Sequence, residues 1–227
     1  MSGGPTLLAH RGDHRRVPEN TIEAFAAAAQ AGCDGVELDV RASADGEAIV
    51  LHDETLERVQ GVPGRARDLT AAHLARHGVP RLQDVLAAVP DGFLVDVELK
   101  EPCVQATLAA IRTLRSAGGP RVVVSSFDAG ILAALGAREP ALERCLIATD
   151  ARGIDEAASL GCDAVALEWH AVSAEAVAAA HGAGLLVWAW TIRDRSAMAH
   201  VRRSGVTGVV AEGASLAVSD APAHPAG

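Results

Sequence analysis

Residues able to perform acid–base and phosphate chemistry occur close together near the N-terminus, where hydrophobic runs end or turns begin. They lie in four fragments: His10-Arg11-Gly12, Pro18-Glu19-Asn20-Thr21, Glu37-Leu38-Asp39 and His52-Asp53. Histidine exchanges protons near neutral pH, and the planar guanidinium of arginine matches the oxygens of a phosphate. Together with a carboxylate pair, these residue types indicate metal-assisted chemistry on a phosphate ester.

The carboxylates predict a metal site. Glu37 and Asp39 are two residues apart in a predicted strand, so their side chains share one face. Two buried carboxylates repel each other unless a cation lies between them. Glu98, at the end of another predicted strand, is expected to complete the site. Because oxygen ligands favour Mg²⁺ or Ca²⁺, we predict one such cation, with a solvated strand edge as the alternative.

Two histidines are candidates for proton transfer. His10 and His52 each end a predicted extended segment, and we expect one to act as a base and the other as an acid. The sequence leaves open which histidine has which role. Arg11 and Lys100 are expected to contact phosphate oxygens. The alternative for Lys100 is a local ion-pair cluster with neighbouring carboxylates, namely Asp96, Glu98 and Glu101.

Other side chains have a more limited predicted role. Asp53 is expected either to orient the ring of His52 or to form a turn. Trp188 and Trp190 alternate along one strand. We expect Trp190 to cover an organic part of the substrate and Trp188 to fill the interior one layer deeper. No role at the site is predicted for the remaining histidines: His14, His73, His77, His170, His181, His200 and His224.

Short strand-like runs alternate with Ala-rich helical stretches along the whole sequence. The eight principal strands are predicted at 6–10, 35–41, 93–99, 122–126, 144–148, 164–168, 185–191 and 208–211, with a further extended piece at 47–52. This alternation predicts an α/β fold, a single-domain (β/α)8 TIM barrel of eight parallel strands over residues 1–218. An open doubly wound sheet is disfavoured because no Gly-rich dinucleotide turn follows the first strand. Asn20 is expected to cap the first helix, and residues 219–227 are expected to form a frayed tail.

Composition limits the classes of partner and the compartment. The 227 residues carry a formal net charge of -9 and include no Tyr, which argues against nucleic-acid binding. The four cysteines are scattered, as expected for free thiols in a reducing compartment. No signal-peptide pattern and no bilayer-length apolar run is present, so we expect a cytoplasmic protein without stable membrane insertion. Nothing in the sequence indicates a particular oligomeric state.

Taken together, the motifs resemble those of the glycerophosphodiester phosphodiesterases, which are TIM barrels. The resemblance starts at the N-terminal fragments and extends over nearly the whole chain. It continues through His52-Asp53-Glu54-Thr55-Leu56, Pro80-Arg81-Leu82, Glu98-Leu99-Lys100, Ser125-Ser126-Phe127 and Trp190-Thr191. It implies a small-molecule phosphodiester substrate, hydrolysed to sn-glycerol 3-phosphate and an alcohol. The implied roles are acid and base for His10 and His52, phosphate binding for Arg11 and Lys100, and metal binding for Glu37, Asp39 and Glu98.

The sequence departs from the family pattern at three places. Arg193 follows Ile192 where the family often has Asn, and Glu212 lies where Thr-Asp is common. The segment between His52 and Pro80 is shorter than in many members. Two alternatives therefore accompany the main prediction: a lysophospholipase D-type enzyme acting on lysophospholipids, and a non-catalytic barrel that binds a phosphate ligand.

Overall fold

The computed structural model describes residues 4–114 and 119–217. In this part of the chain the strands are β1 (Thr6–His10), β2 (Gly35–Ala42), β3 (Ala48–Val50), β4 (Leu94–Leu99), β5 (Arg121–Ser126), β6 (Glu143–Ala148), β7 (Ala164–Glu168), β8 (Leu186–Ile192) and β9 (Gly208–Ala211). All except β3 run parallel to their neighbours, and β1 pairs with both β2 and β9, which closes the sheet. The short β3 pairs antiparallel with the end of β2. The predicted single-domain (β/α)8 barrel is therefore confirmed.

Helices occupy most of the connections between strands, as predicted. They are α1 (Ile22–Gln30), α2 (Glu57–Gln60), α3 (Ala71–Ala75), α4 (Leu82–Ala88), α5 (Val104–Leu114), α6 (Ala129–Arg138), α7 (Gly153–Ser159), α8 (Ala174–Gly182) and α9 (Arg195–Ser204). A 3-10 turn at Gly213–Ala217 follows β9. The predicted tail, residues 219–227, lies outside the described residues. None of the described helices is long and apolar enough to cross a membrane.

The first helix corrects one prediction. Thr21, not Asn20, is the N-cap of α1, because its side chain accepts a hydrogen bond from the backbone N–H of Ala24. Asn20 instead adopts a positive φ of 58° and directs its amide into the barrel, where Nδ2 donates to Oδ2 of Asp39 at 2.8 Å. The residue before the N-cap therefore supports a site carboxylate.

Apolar side chains pack in two layers, one between the strands and helices and one inside the barrel. Trp188 is 4% exposed and belongs to the inner layer, which confirms its predicted structural role. Its ring lies against Gly208, the residue opposite it on β9. A Cβ at position 208 would lie 2.7 Å from Cδ1 of Trp188, so this glycine makes room for the indole. The inner layer fills the barrel below the rim.

The segment after His52 is a folded unit. It contains α2, a 3-10 turn at Ala66–Asp68 and α3, for which the sequence analysis predicted no elements. Its apolar residues form a small cluster with β3 and the residues around it: Ile49, Leu51, Leu56, Ala66, Ala71, Leu74 and Val79. This packing fixes the segment beside the C-terminal end of β2.

Candidate active site

The predicted site residues meet at one rim of the barrel. The C-terminal ends of parallel barrel strands lie at the same rim, and the strand register places His10 beside Glu37 and Asp39 beside Glu98. A cavity of about 250 Å³ opens there. Every predicted site residue except Asp39 lines it: His10, Arg11, Glu37, His52, Glu98, Lys100 and Trp190. Asp39 is fully buried beside them.

The three predicted metal ligands form a buried cluster. One ligand atom from each of Glu37, Asp39 and Glu98 lies within 4.8 Å of the other two. Burial, together with the charges of Asp39 and Glu98, raises the pKa of Glu37 well above its ordinary value. Among the described residues, Oε1 of Glu37 and Oδ1 of Asp39 have no hydrogen-bond partner. A cluster of three buried carboxylates that includes oxygens without a hydrogen-bond partner fits a divalent cation with oxygen ligands.

Two cations line the same cavity and lie close to this cluster. Nζ of Lys100 is 2.7 Å from Glu98 Oε1 and 3.3 Å from Asp39 Oδ1, and Nε of Arg11 is 3.2 Å from Asp39 Oδ2. Of the local ion pairs named as the alternative for Lys100, the one with Glu98 forms, whereas Glu101 pairs with Arg41. Lys100 and Arg11 therefore both line the cavity and contact the carboxylate cluster.

His10 is held by a residue from the opposite end of the sequence. Its Nδ1 lies 2.7 Å from Oε2 of Glu212. This hydrogen bond is the main cause that lowers the pKa of Glu212, to about 2, so the carboxylate accepts and the Nδ1–H of His10 donates. Burial lowers the pKa of His10. Nε2 of His10 is then directed to the Glu37 side of the cavity, 3.9 Å from that carboxylate.

His52 has a similar arrangement. Its Nδ1 lies 2.7 Å from Oδ1 of Asp53, so the ring is oriented by the following residue. A hydrogen bond from Arg58 is the main cause that lowers the pKa of Asp53 to about 2. Of the two roles predicted for Asp53, the structure therefore supports orientation of His52. Each histidine is thus left with Nε2 as the nitrogen available to the cavity.

The opposite wall of the cavity is aromatic and aliphatic. Trp190 donates its Nε1–H to the backbone carbonyl of Ala166 at 3.0 Å, which fixes the indole near the rim. Phe127 packs edge-on against Trp190 with ring centroids 5.4 Å apart and remains 49% exposed. Ile147 and Val210 extend this wall. The cavity therefore has a charged side and an apolar side.

Several residues at the site were not identified as functional from the sequence. Glu212 and Arg193 were noted only as departures from the family pattern, yet Glu212 holds His10 and Nε of Arg193 lies 2.5 Å from Glu212 Oε1. Asp96, 2% exposed, lies at the floor of the cavity, and burial raises its pKa to about 7. His14, for which no role at the site is predicted from the sequence, lies with Nε2 4.0 Å from Glu212. Glu212 and Arg193 reach the site through barrel closure, for which the sequence offers no local signal, whereas Asp96 lies two residues before Glu98 on β4 and shares its face.

Comparison with known proteins agrees with this geometry. The chain is 29% identical over 228 residues to a glycerophosphodiester phosphodiesterase of Caldanaerobacter subterraneus subsp. tengcongensis, covering 91% of this chain and 93% of the relative. The crystal structure of a Thermotoga maritima glycerophosphodiester phosphodiesterase superposes with a TM-score of 0.77 at 26% identity, covering 91% of this chain and 94% of that one. An Oleispira antarctica phosphodiesterase, solved in complex with the product sn-glycerol-3-phosphate, gives a TM-score of 0.81 at 25% identity, covering 92% and 93%.

The sequence model of one family spans almost all of the barrel. The model described as the glycerophosphoryl diester phosphodiesterase family matches residues 10–213, from the first histidine of the rim to the residue after Glu212. All the motif residues at the rim lie within this match. The chain therefore belongs to the glycerophosphoryl diester phosphodiesterase family.

Proposed function

We propose that the protein is a phosphoric diester hydrolase that cleaves glycerophosphodiesters to sn-glycerol 3-phosphate and an alcohol. The observation that carries the proposal is one cavity that combines three buried carboxylates, two cations and two histidines, each histidine oriented by a carboxylate. Family membership and the product bound to the Oleispira antarctica relative support it. The expected substrate is a small molecule, and the formal net charge of -9 argues against nucleic acid as a partner.

Glu37, Asp39 and Glu98 would hold one Mg²⁺ or Ca²⁺. When bound, the cation would supply Lewis-acid stabilisation of the charge that develops on the phosphoryl oxygens. Arg11 and Lys100 add fixed positive charge beside the same position. Each side chain is only 16% exposed, and fixed charge shielded from water stabilises a transition state most effectively. These two side chains therefore bind and orient the phosphodiester.

The histidines would move the protons. Because Nδ1 of each ring is occupied by a carboxylate, Nε2 of one ring accepts the proton of the nucleophile. Nε2 of the other ring gives a proton to the leaving alkoxide. The nucleophile is water, or a neighbouring substrate hydroxyl that first forms a cyclic phosphate. In both cases the carboxylate partner stabilises the charged ring.

The side chains that line the rim favour a substrate with a polar leaving alcohol over a lysophospholipid. A second cavity of about 390 Å³ adjoins the first and shares Phe127 and Ile147 with it. Its far end is lined by polar and charged side chains: Thr149, Asp150, Arg152 and Glu156. An acyl chain would desolvate these groups, whereas a polar alcohol would hydrogen-bond with them. We therefore infer that a glycerophosphodiester is preferred.

A direct assay tests the proposal. We expect hydrolysis of glycerophosphocholine in the presence of Mg²⁺ or Ca²⁺, with slower turnover of lysophosphatidylcholine. The His10→Ala, His52→Ala double variant is expected to lose activity, and full activity of this variant would exclude paired-histidine catalysis. Metal binding without turnover of any diester would instead support a non-catalytic phosphate-binding barrel. The cytoplasmic location stays a prediction, with which the four free and buried cysteines are compatible.

A further inference from the structure

Arg58 lies in the folded segment after His52 and reaches back toward the rim. It belongs to α2, and its side chain is 49% exposed. The guanidinium contacts two carboxylates at once. Nε and Nη2 donate to Asp53 at 2.5 and 3.1 Å, and Nη2 and Nη1 donate to Glu19 at 2.7 and 3.1 Å.

Each of these carboxylates holds one proposed catalytic or binding residue. Asp53 binds Nδ1 of His52 at 2.7 Å, and Glu19 accepts a hydrogen bond from Nη1 of Arg11 at 2.9 Å. The five side chains therefore form an unbroken chain of contacts in which Arg58 is the middle member. Burial opposes the ionisation of Glu19, but Arg58 and Arg11 outweigh it and lower the pKa of Glu19 to about 2.

Arg58 itself is not among the residues that line the cavity. Its contacts with the site run through Asp53 and Glu19, so we expect its effect on the reaction to pass through these two carboxylates. A half-exposed ion pair contributes little to stability. The planar fork of arginine is nevertheless suited to hold two carboxylates in fixed relative positions, which an ammonium cannot do.

We infer that Arg58 is a positioning residue that couples the orientation of His52 to that of Arg11. Through Asp53 it keeps Nε2 of His52 directed into the cavity, and through Glu19 it keeps the guanidinium of Arg11 in place for the phosphate. This inference rests on the proposed function. Arg58 lies outside the family motifs, so the inference gives the segment after His52 a role that those motifs do not indicate.

Three single variants separate the two connections. Asp53→Asn breaks the connection to His52, Glu19→Gln breaks the connection to Arg11, and Arg58→Gln breaks both. With glycerophosphocholine, we expect Asp53→Asn mainly to lower kcat and Glu19→Gln mainly to raise KM. Arg58→Gln should do both, each by roughly 10-fold, the lower end of the effects known for residues that orient a ligand.

Arg65 provides a matched control in the same segment. Its side chain is 48% exposed and makes one ion pair, with Glu54 at 2.7 Å, and it does not line the active-site cavity. We expect Arg65→Gln to keep kcat and KM within about twofold of wild type. In the double variant Arg58→Gln, Asp53→Asn, kcat should be no lower than in Asp53→Asn alone, because the same connection is already lost.

Two measurements report the orientation of His52 and Arg11 without relying on turnover. They can therefore contradict the role of Arg58 even if the protein hydrolyses glycerophosphodiesters, and support it even if the protein does not. The ¹⁵N shifts of the His52 ring should report protonated Nδ1 in wild type and a mixture of tautomers in Arg58→Gln. Binding of sn-glycerol 3-phosphate should weaken about 10-fold in Arg58→Gln and in Glu19→Gln. Unchanged ring shifts and unchanged binding in Arg58→Gln would overturn the inference, whereas absent turnover in the wild type would overturn only the proposed function.

Discussion

Glu212 and His10, 202 residues apart in sequence, are joined by a 2.7 Å hydrogen bond across the closure of the barrel. Glu212 directly follows β9 and His10 ends β1, and these two strands pair in parallel. Arg193, from the loop after β8, holds the other oxygen of Glu212. The orientation of His10 therefore depends on the last strand of the barrel.

Replacing Glu212 with Gln should lower kcat. The amide keeps the shape but loses the charge that stabilises a protonated His10 ring and pairs with Arg193. We expect a fall of roughly 10–100-fold, as for other residues that orient a functional histidine. The control is Glu143→Gln, because Glu143 pairs with Arg121 at the opposite end of the barrel. Equal kcat values for wild type and Glu212→Gln would show that the hydrogen bond has no part in catalysis.

Replacing Asp96 with Asn should stabilise the protein at alkaline pH. Burial raises the pKa of Asp96 to about 7 from an ordinary value of 3.8, so folding favours its neutral form. Its ionisation costs stability progressively as pH rises from about 4 to about 7, and the cost is absent below that range. The variant should therefore gain on the order of 4 kcal/mol at pH 8 and little at pH 3.5.

Urea unfolding at the two pH values, with a chelator present, measures this difference. The matched control is Asp91→Asn, because Asp91 is exposed. A gain for Asp96→Asn that is the same at both pH values would contradict the assigned cause, since packing effects do not follow ionisation.

Replacing Glu37 with Gln should abolish stabilisation by divalent cations. A cation that binds only the folded protein raises Tm with its concentration. We expect Mg²⁺ or Ca²⁺ to raise the Tm of the wild type and to leave that of Glu37→Gln nearly unchanged. Glu175→Gln, on the exposed start of α8, should respond as the wild type does. An equal shift in Glu37→Gln and wild type would place the cation elsewhere.

Replacing Gly208 with Ala should destabilise the barrel interior. The new Cβ would lie 2.7 Å from Cδ1 and 3.0 Å from Nε1 of Trp188, which is buried and cannot move freely. Overpacking of this kind costs about 1–3 kcal/mol. Gly182→Ala is the control, because no atom lies within 4 Å of the added Cβ. Chemical denaturation of both variants measures the difference, and equal stability would mean that the indole has room to shift.

The pattern of residues along the chain was sufficient for the fold and for much of the site. Hydrophobic periodicity is visible in short stretches of sequence. The eight strand-like runs separated by helical stretches therefore predict the barrel. The two-residue spacing of Glu37 and Asp39 places both carboxylates on one face of β2, and the end of β4 adds Glu98. Parallel strands align their ends, so the sequence predicts that these residues lie at one rim.

Only the tertiary structure decided which residues hold the histidines, the arginine and the carboxylates of the site in place. Glu212 reaches His10 only because β9 pairs with β1, and Arg58 reaches Glu19 only because the segment after His52 packs against the rim. Asn20 is a plausible helix cap by its position in sequence, yet the fold uses it to support Asp39. Such contacts join residues far apart in the chain, so their existence depends on strand closure and loop packing and not on any local pattern.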